Sequence, residues 1–456
     1  MTMSKSKVTV HSTLTVVSSE PIIDSGKSHP LTVLDQAMGL RTLSMIYYYK
    51  DLGNLLGSFE LDPLRESLCK VLTLYPNMTG RLAKGQDGNW EIRYNDAGVR
   101  VIMTNVDATL HEWLTSENES NNEALLIAWE DMPLDDPKTW SPFRIQINIF
   151  KGGDVAIGLS CSHMVADPTS LASFFKSWTE TQRHLPITNP PFFTTPTPQL
   201  NANSSPSHYA TTTTTATLSS SSTQTKKRVT ATFKFSNSVI KKCVSQVHNI
   251  CPNATPFDFL SALFWTRVTH LKPHKKNQDQ THSLSICTDF RRLMKTPLPT
   301  GYFGNALHFS MLSVKDMDSV GLEGITSLVH KHLEVAELEN EGNFGGVQSL
   351  MYGCELTCVC MEHMMVSDSS GNNDADDESL MYSAVFSKNE KPVHVSCHVG
   401  NMNENNGEGL IMVMPSLEGG HARNVMVTLP EEELAELIKD EAILQLEPTI
   451  MLASCW

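Results

Sequence analysis

The residue pair best suited to chemistry is His163 and Asp167, in the run His163-Met164-Val165-Ala166-Asp167. An imidazole titrates near neutrality, so it can take up or release a proton as a general base or acid. The residues before it alternate. Val155, Ile157, Leu159, Cys161 and His163 share one parity, the pattern of a strand with one buried face, which puts the imidazole at the inward end of that strand. Asp167-Pro168 then reads as a helix start, with aspartate as N-cap and proline at the first helical position. Leu171, Phe174, Phe175 and Trp178 continue at helical spacing. Taken alone, the pair also describes a strand-end histidine followed by a helix cap, and two fixed residues recur by chance. The rest of the chain has to decide.

Several elements must hold this strand, loop and helix in place. Residues 142–150 alternate as a second strand, and Lys151-Gly152-Gly153 turns it back into the strand that leads to His163. Upstream, 7–17 reads as a strand, 32–35 as a turn, and 45–49 as a buried strand. Leu61, Leu64, Leu68, Val71 and Leu72 mark an amphipathic helix stopped at Tyr75-Pro76. Downstream, strand 229–236 precedes a helix over 237–247. Thr255-Pro256 opens another helix, and a short strand at 284–287 runs into Thr288-Asp289-Phe290-Arg291. A strand follows Asn305, a helix is expected over 321–336, and strands over 352–361, 392–399, 409–414 and 424–428. Pro430 opens a last helix.

At 456 residues the chain is long enough for two domains. Pro, Thr, Asn and Ser dominate from Pro186 to Thr225 and cannot bury enough apolar surface to offset ordering entropy. Residues 191–228 are therefore expected to be an exposed linker between a domain over 1–190 and another over 229–456. The net charge of −15, with no long basic run, excludes a nucleic-acid partner. The ten cysteines include no C-x-x-C pair and suit no metal site, so buried free thiols are expected. The acidic stretch 367–379 lacks calcium-loop spacing and reads as a solvated loop. The N-terminal residues carry no signal-peptide pattern, and no apolar run approaches membrane-spanning length, so a cytoplasmic location is expected.

Four ordered stretches change the weight on His163. His163 to Asp167 matches the H-x-x-x-D hallmark of the plant BAHD acyltransferase family. Residues 64–82 resemble that family's helix ending in Gly-Arg-Leu, here Gly80-Arg81-Leu82. Residues 255–267 resemble its Trp-bearing helix. Residues 288–305 resemble its Asp-x-Arg and Tyr-Phe-Gly-Asn segments, here Asp289-Phe290-Arg291 and Tyr302-Phe303-Gly304-Asn305. The resemblance covers nearly the whole chain. It departs at Pro168, where the family usually has glycine. It departs again at 382–392, where the second hallmark, Asp-Phe-Gly-Trp-Gly, is reduced to Phe386 and Lys391-Pro392. In this loss the chain resembles the eceriferum/glossy wax-synthesis branch.

The resemblance implies an α/β fold of two mixed-sheet domains with flanking helices, like chloramphenicol acetyltransferase. It implies transfer of an acyl group from acyl-CoA to an alcohol or amine, with His163 as general base and no permanently bound cofactor. Asp167 would support the loop by pairing with Arg291, and Tyr302, Gly304 and Asn305 are expected along the substrate and CoA tunnel. A monomer acting on acyl-CoA and a small-molecule acceptor is expected. The alternative implied by the eceriferum branch is an accessory role in very-long-chain fatty acid elongation. There the partner would be an elongase condensing enzyme, the location the endoplasmic reticulum, and catalysis dispensable.

Overall fold

The computed structural model describes residues 7–22, 25–52, 62–115, 123–133, 136–194, 227–272, 281–291, 298–339, 352, 355–366, 378–387, 390–400 and 407–453. Most of the expected linker (195–226) and of the acidic stretch (367–377) lies outside these residues. The strands of the first half are β1 (Val8–Val16), β2 (Ser28–Pro30), β3 (Thr42–Tyr49), β4 (Arg81–Lys84), β5 (Trp90–Arg93), β6 (Val99–Thr109), β7 (Phe143–Lys151) and β8 (Val155–Ser162). Those of the second half are β9 (Arg228–Phe235), β10 (Thr281–Asp289), β11 (Leu307–Lys315), β12 (Leu356–Cys360), β13 (Met365–Val366), β14 (Glu378–Ser379), β15 (His394–Gly400), β16 (Gly409–Pro415), β17 (Arg423–Pro430) and β18 (Thr449–Ala453). The main helices are α1 (Val33–Ala37), α2 (Asp62–Leu72), α3 (Pro168–Gln182), α4 (Asn237–Val247), α5 (Pro256–His270), α6 (Met317–Glu339) and α7 (Glu431–Leu437).

Two large mixed sheets carry the fold. The first has the order β1-β6-β7-β8-β3-β15, and the second β11-β10-β12-β16-β17-β9-β18. A small sheet, β2-β5-β4, stands beside the first, and β13 pairs with β14. The alternating apolar positions of β3, β7 and β8 face α2 and α3. Met45, Tyr47, Ile145, Ile157 and Leu159 pack there with Leu64, Leu68, Phe174, Phe175 and Trp178. Residues of the second half, among them Cys287, Phe303, Phe309 and Tyr352, close the same core. The second sheet buries Phe233, Ile286 and Val425 against α5, through Phe257, Leu260 and Phe264.

Strand β8 departs from the alternation read in the sequence, because all eight of its residues are buried. Its second face is small, with Ala156, Gly158, Ser160 and Ser162. That face lets the segment 123–128 lie directly on the strand. A Cβ on Gly158 would stand 2.3 Å from the Leu126 carbonyl oxygen, and the Ser160 hydroxyl donates to the Ala128 carbonyl. The hairpin β7–β8 is therefore clamped on both sides, which fixes the end of β8.

One strand crosses between the halves. β15 pairs antiparallel with β3, from His394 opposite Tyr48 to Gly400 opposite Thr42. A buried carboxylate ties this edge down. Glu123 accepts from the Tyr48 hydroxyl, from Ser396 Oγ at 3.0 Å and from His398 Nε2 at 2.7 Å. Burial by itself raises the Glu123 pKa, but the His398 hydrogen bond and nearby imidazoles outweigh it and bring the value to about 2. Residues 32–35, expected to be a turn, instead open α1. Thr32 and Asp35 form a reciprocal capping box around its single turn. Strand β12 begins at Leu356, so Tyr352 precedes it rather than starting it. Among the described residues, no helix is long and apolar enough to cross a membrane.

Candidate active site

β8 ends at Ser162, and His163 follows in a tight turn before α3. Two backbone bonds hold it. Its N–H donates to the Arg41 carbonyl at 2.9 Å, and its carbonyl accepts from Asn305 Nδ2 at 2.8 Å. The residue is fully buried. Nε2 lies 3.1 Å from the Tyr352 hydroxyl. Among the described residues Nδ1 makes no hydrogen bond of full geometry, with its own backbone and the Asn305 side chain the polar groups that act on the ring. Burial lowers the His163 pKa to about 4, against the opposing effects of its own backbone and of Asp167. The ring is therefore neutral at neutral pH. Burial pushes the Tyr352 phenol well above its ordinary value, so it keeps its proton. The neutral pair is satisfied when Tyr352 donates to Nε2 and Nδ1 carries the imidazole proton, which leaves the Nε2 lone pair facing a hydroxyl.

Asp167 caps α3, with its Oδ1 accepting from Ser170 N at 2.9 Å. Pro168 takes the first helical position, where no backbone N–H is needed, and Asp167 is extended, as a residue before proline prefers. The carboxylate also meets Arg291 in bidentate fashion, Nη1 to Oδ2 at 2.8 Å and Nη2 to Oδ1 at 2.9 Å. Ala306 N donates to Oδ2 at 2.9 Å. These four bonds come from its own helix and from the second half of the chain, and none comes from the His163 ring. Arg291 also pairs with Asp289 and donates to Ser170 Oγ at 2.9 Å and to the Gly304 carbonyl at 3.1 Å. Burial opposes the Arg291 charge, but Asp167 and Asp289 outweigh it and raise its pKa above the ordinary value. The start of α3, residues 289–291 and residues 304–306 are thus joined by a desolvated ion pair whose polar atoms are largely satisfied.

The other three predicted residues sit behind the histidine. Gly304 has φ +151°, and its N–H and carbonyl both meet Ser170 Oγ, at 3.0 and 2.9 Å. A Cβ there would stand 2.8 Å from the Tyr302 hydroxyl. Tyr302 is buried under the Arg291 guanidinium, 5.5 Å from ring centre to carbon, and its carbonyl faces that group. Asn305 bonds the His163 backbone, and its side chain also favours the charged form of the imidazole, while its N–H and Nδ2 both donate to Asp35 Oδ1, at 3.0 and 2.9 Å. Thr32 holds the other Asp35 oxygen. A chain of bonds therefore runs from the α1 cap through Asp35 and Asn305 to the His163 carbonyl.

Sequence reasoning missed three residues of this site. Asp35 was visible only as part of a turn. Arg41 supplies the carbonyl that receives His163 N–H and stacks its guanidinium over Tyr352, 5.6 Å from the ring centre. Tyr352 itself has a left-handed backbone, φ +48°, and its ring packs edge-on to Phe309 at 5.1 Å. A single tyrosine 189 positions from its histidine leaves no local signal. Phe386, the surviving aromatic of the reduced hallmark, packs against Tyr49, Phe175 and Trp178 at 5.4–5.7 Å, so its place is kept by the core.

The arrangement provides a neutral buried base with its lone pair on a hydroxyl, on a rigid frame drawn from both halves of the chain. Comparison with known proteins gives the family and the fold. A family model described as the Transferase family matches residues 6–444. A hydroxycinnamoyltransferase of Narcissus pseudonarcissus is 28% identical over 63% of this chain and 68% of its own length. Protein ECERIFERUM 2 of Arabidopsis thaliana is 25% identical over 91% of this chain and 94% of its own. The crystal structure of vinorine synthase superposes with a TM-score of 0.66 over 96% of this chain and 98% of its own, at 19% identity, a likeness of fold. That fold is the coenzyme-A-dependent acyltransferase fold expected from the motifs, with mixed sheets and flanking helices. From its hallmark residues and a match that runs almost from end to end, the chain belongs to the Transferase family, the BAHD acyltransferases.

Proposed function

We propose that this protein transfers an acyl group from acyl-CoA to a hydroxyl or amine, with His163 as general base. The observation that carries the reading is the Nε2 lone pair of a neutral, fully buried imidazole lying 3.1 Å from a hydroxyl oxygen. In the reaction an acceptor O–H or N–H takes the place of that hydroxyl. Its proton moves to Nε2 as the acceptor atom bonds to the thioester carbon. The tetrahedral intermediate collapses with cleavage of the C–S bond, and the imidazolium returns the proton to the departing sulfur as free CoA. No covalent enzyme intermediate is needed. Asp167 and Arg291 position the loop, and Asn305 fixes the His163 backbone. These residues do not touch the reacting atoms. Acyl-CoA is the co-substrate and a small molecule the acceptor, and the protein works as a cytoplasmic monomer. The test is incubation of the purified protein with a panel of acyl-CoAs and alcohol or amine acceptors. Ester or amide product with stoichiometric CoA thiol is expected, and no product with any donor would sink the reading.

A second reading is favoured by the near-full-length likeness to ECERIFERUM 2 and by the reduced hallmark at 382–392. In it the protein supports a fatty acid elongase condensing enzyme at the endoplasmic reticulum in wax synthesis, without its own transfer chemistry. Co-expression with a condensing enzyme separates the two. Longer acyl chains formed equally well by wild type and by His163→Ala favour the accessory role, and unchanged chain length removes it.

A further inference from the structure

A histidine meant to receive a proton from an incoming acceptor offers one lone pair, in the ring plane at Nε2. In this structure that position is taken. The Tyr352 hydroxyl lies 3.1 Å from Nε2, and the tyrosine is buried to the same degree as the core around it. The phenol is held from several directions. The Arg41 guanidinium stands over its ring, 5.6 Å from the centre. The Phe309 ring meets it edge-on at 5.1 Å. Arg41 reaches its backbone carbonyl from Nη2, at 3.5 Å. The backbone is in the left-handed region, φ +48°, a conformation that a bulky residue rarely adopts and that surrounding structure must impose. Three features therefore coincide on one residue: a strained backbone, a ring clamped between a cation and an aromatic edge, and a hydroxyl on the one lone pair the reaction needs.

We infer that Tyr352 is the resident occupant of the acceptor position, that an acceptor must displace its hydroxyl from His163, and that it keeps water from His163 between turnovers. The inference rests on His163 being the base. Neither water nor acceptor can bond the Nε2 lone pair while the phenol does. Acyl-CoA bound alone is then protected from hydrolysis, and an acceptor gains access only if its own contacts outweigh the phenol's. Tyr352 thus acts as a specificity-determining residue for transfer over hydrolysis. It does not accept the acyl group in this scheme, and the acyl chain passes only to the external acceptor.

The experiment uses the full chain as wild type, Tyr352→Phe, Tyr352→Ala, His163→Ala and the double variant Tyr352→Ala/His163→Ala. CoA thiol release from acyl-CoA is measured without and with an alcohol acceptor. In parallel, carbethoxylation of His163 by diethyl pyrocarbonate is followed by peptide mass mapping, a readout that needs no turnover. Tyr352→Ala is expected to raise His163 carbethoxylation and acceptor-free thiol release about tenfold or more, and to lower the acceptor KM with little change in kcat. Tyr352→Phe keeps the ring and loses the hydroxyl, so it is expected to fall between. The thiol-release gain disappears in the double variant. Equal His163 reactivity in wild type and both Tyr352 variants overturns the inference, whichever enzyme reading holds. Faster His163 labelling in a protein that neither transfers nor hydrolyses would uphold the occupancy while removing the proposed transfer function. Loss of transfer in His163→Ala with Tyr352→Ala indistinguishable from wild type would uphold the transfer function and remove the role of Tyr352. Tyr352→Phe guards against misfolding of the alanine variant, since it leaves the packing against Phe309 and Arg41 in place.

Discussion

Replacing Asp167 by asparagine removes one negative charge and little else. The residue is fully buried, and its oxygens accept four hydrogen bonds, from Ser170 N, Ala306 N and the two Arg291 terminal nitrogens. Asparagine can still cap α3 through its carbonyl oxygen, because it is as good an N-cap as aspartate. With the carbonyl oxygen in the capping position, its NH2 must face two donors, Arg291 Nη1 and Ala306 N. Breaking a buried ion pair from one side costs about 3–5 kcal/mol. Arg291 keeps Asp289, so the lower end, about 3 kcal/mol, is expected. Urea unfolding followed by tryptophan fluorescence measures it, alongside Arg291→Met and the double variant. The double variant should lose less than the sum of the singles, since the desolvated partner is removed as well. A loss below about 1 kcal/mol for Asp167→Asn would refute the pairing argument. Full stability with abolished transfer would refute the placement of Asp167 outside the reacting atoms.

Acid should weaken the fold from near pH 6.5 downwards. Burial holds the folded pKa of His163 at about 4 and of His394 at about 3. Between those values and the ordinary 6.5, the unfolded chain binds protons that the folded chain does not, so stability falls as pH drops through that window, by about 1.4 kcal/mol per pH unit for each histidine. Glu123 adds loss only lower, from about 4.5 towards 2, as its carboxylate is protonated away from His398. Thermal midpoints across pH 3–8 check this, and a flat profile from pH 7 to 5 would contradict it. Gly158→Val places atoms where the Leu126 carbonyl lies 2.3 Å from the Cβ position, so the 123–128 segment must lift from β8, at about 1–3 kcal/mol. Unchanged stability of that variant would contradict the clamped hairpin.

What was legible in the sequence follows a physical division. The β7–β8 hairpin and the Asp167-capped helix were readable, because alternation and capping are local and repeat the same periodicity. The Thr255 cap of α5 was readable for the same reason, and there too a threonine and an aspartate close a reciprocal box. The second buried face of β8 was not readable. Gly158 and Ser160 break the apolar pattern because the backbone of Leu126 and Ala128 covers them. The place of β15 beside β3 depends on a pairing across some 350 residues. Even so, His394 and His398, of one parity on an apolar strand, signal a nearby anionic group, which is Glu123, hydrogen-bonded to His398. At the site, Asp167 and Arg291 came from the family motifs, whereas Asp35, Arg41 and Tyr352 belong to no motif. They converge only because α1, the start of β3 and Tyr352 meet at the end of β8.

The central claim is that the His163 imidazole performs the proton transfer. Its most direct test compares wild type with His163→Ala and His163→Gln, at matched thermal midpoints and with whichever acyl-CoA and acceptor give the fastest turnover. A fall of about a hundred- to ten-thousand-fold in kcat is expected for both variants, the range general-base catalysis contributes. Turnover unchanged in either folded variant would contradict the account.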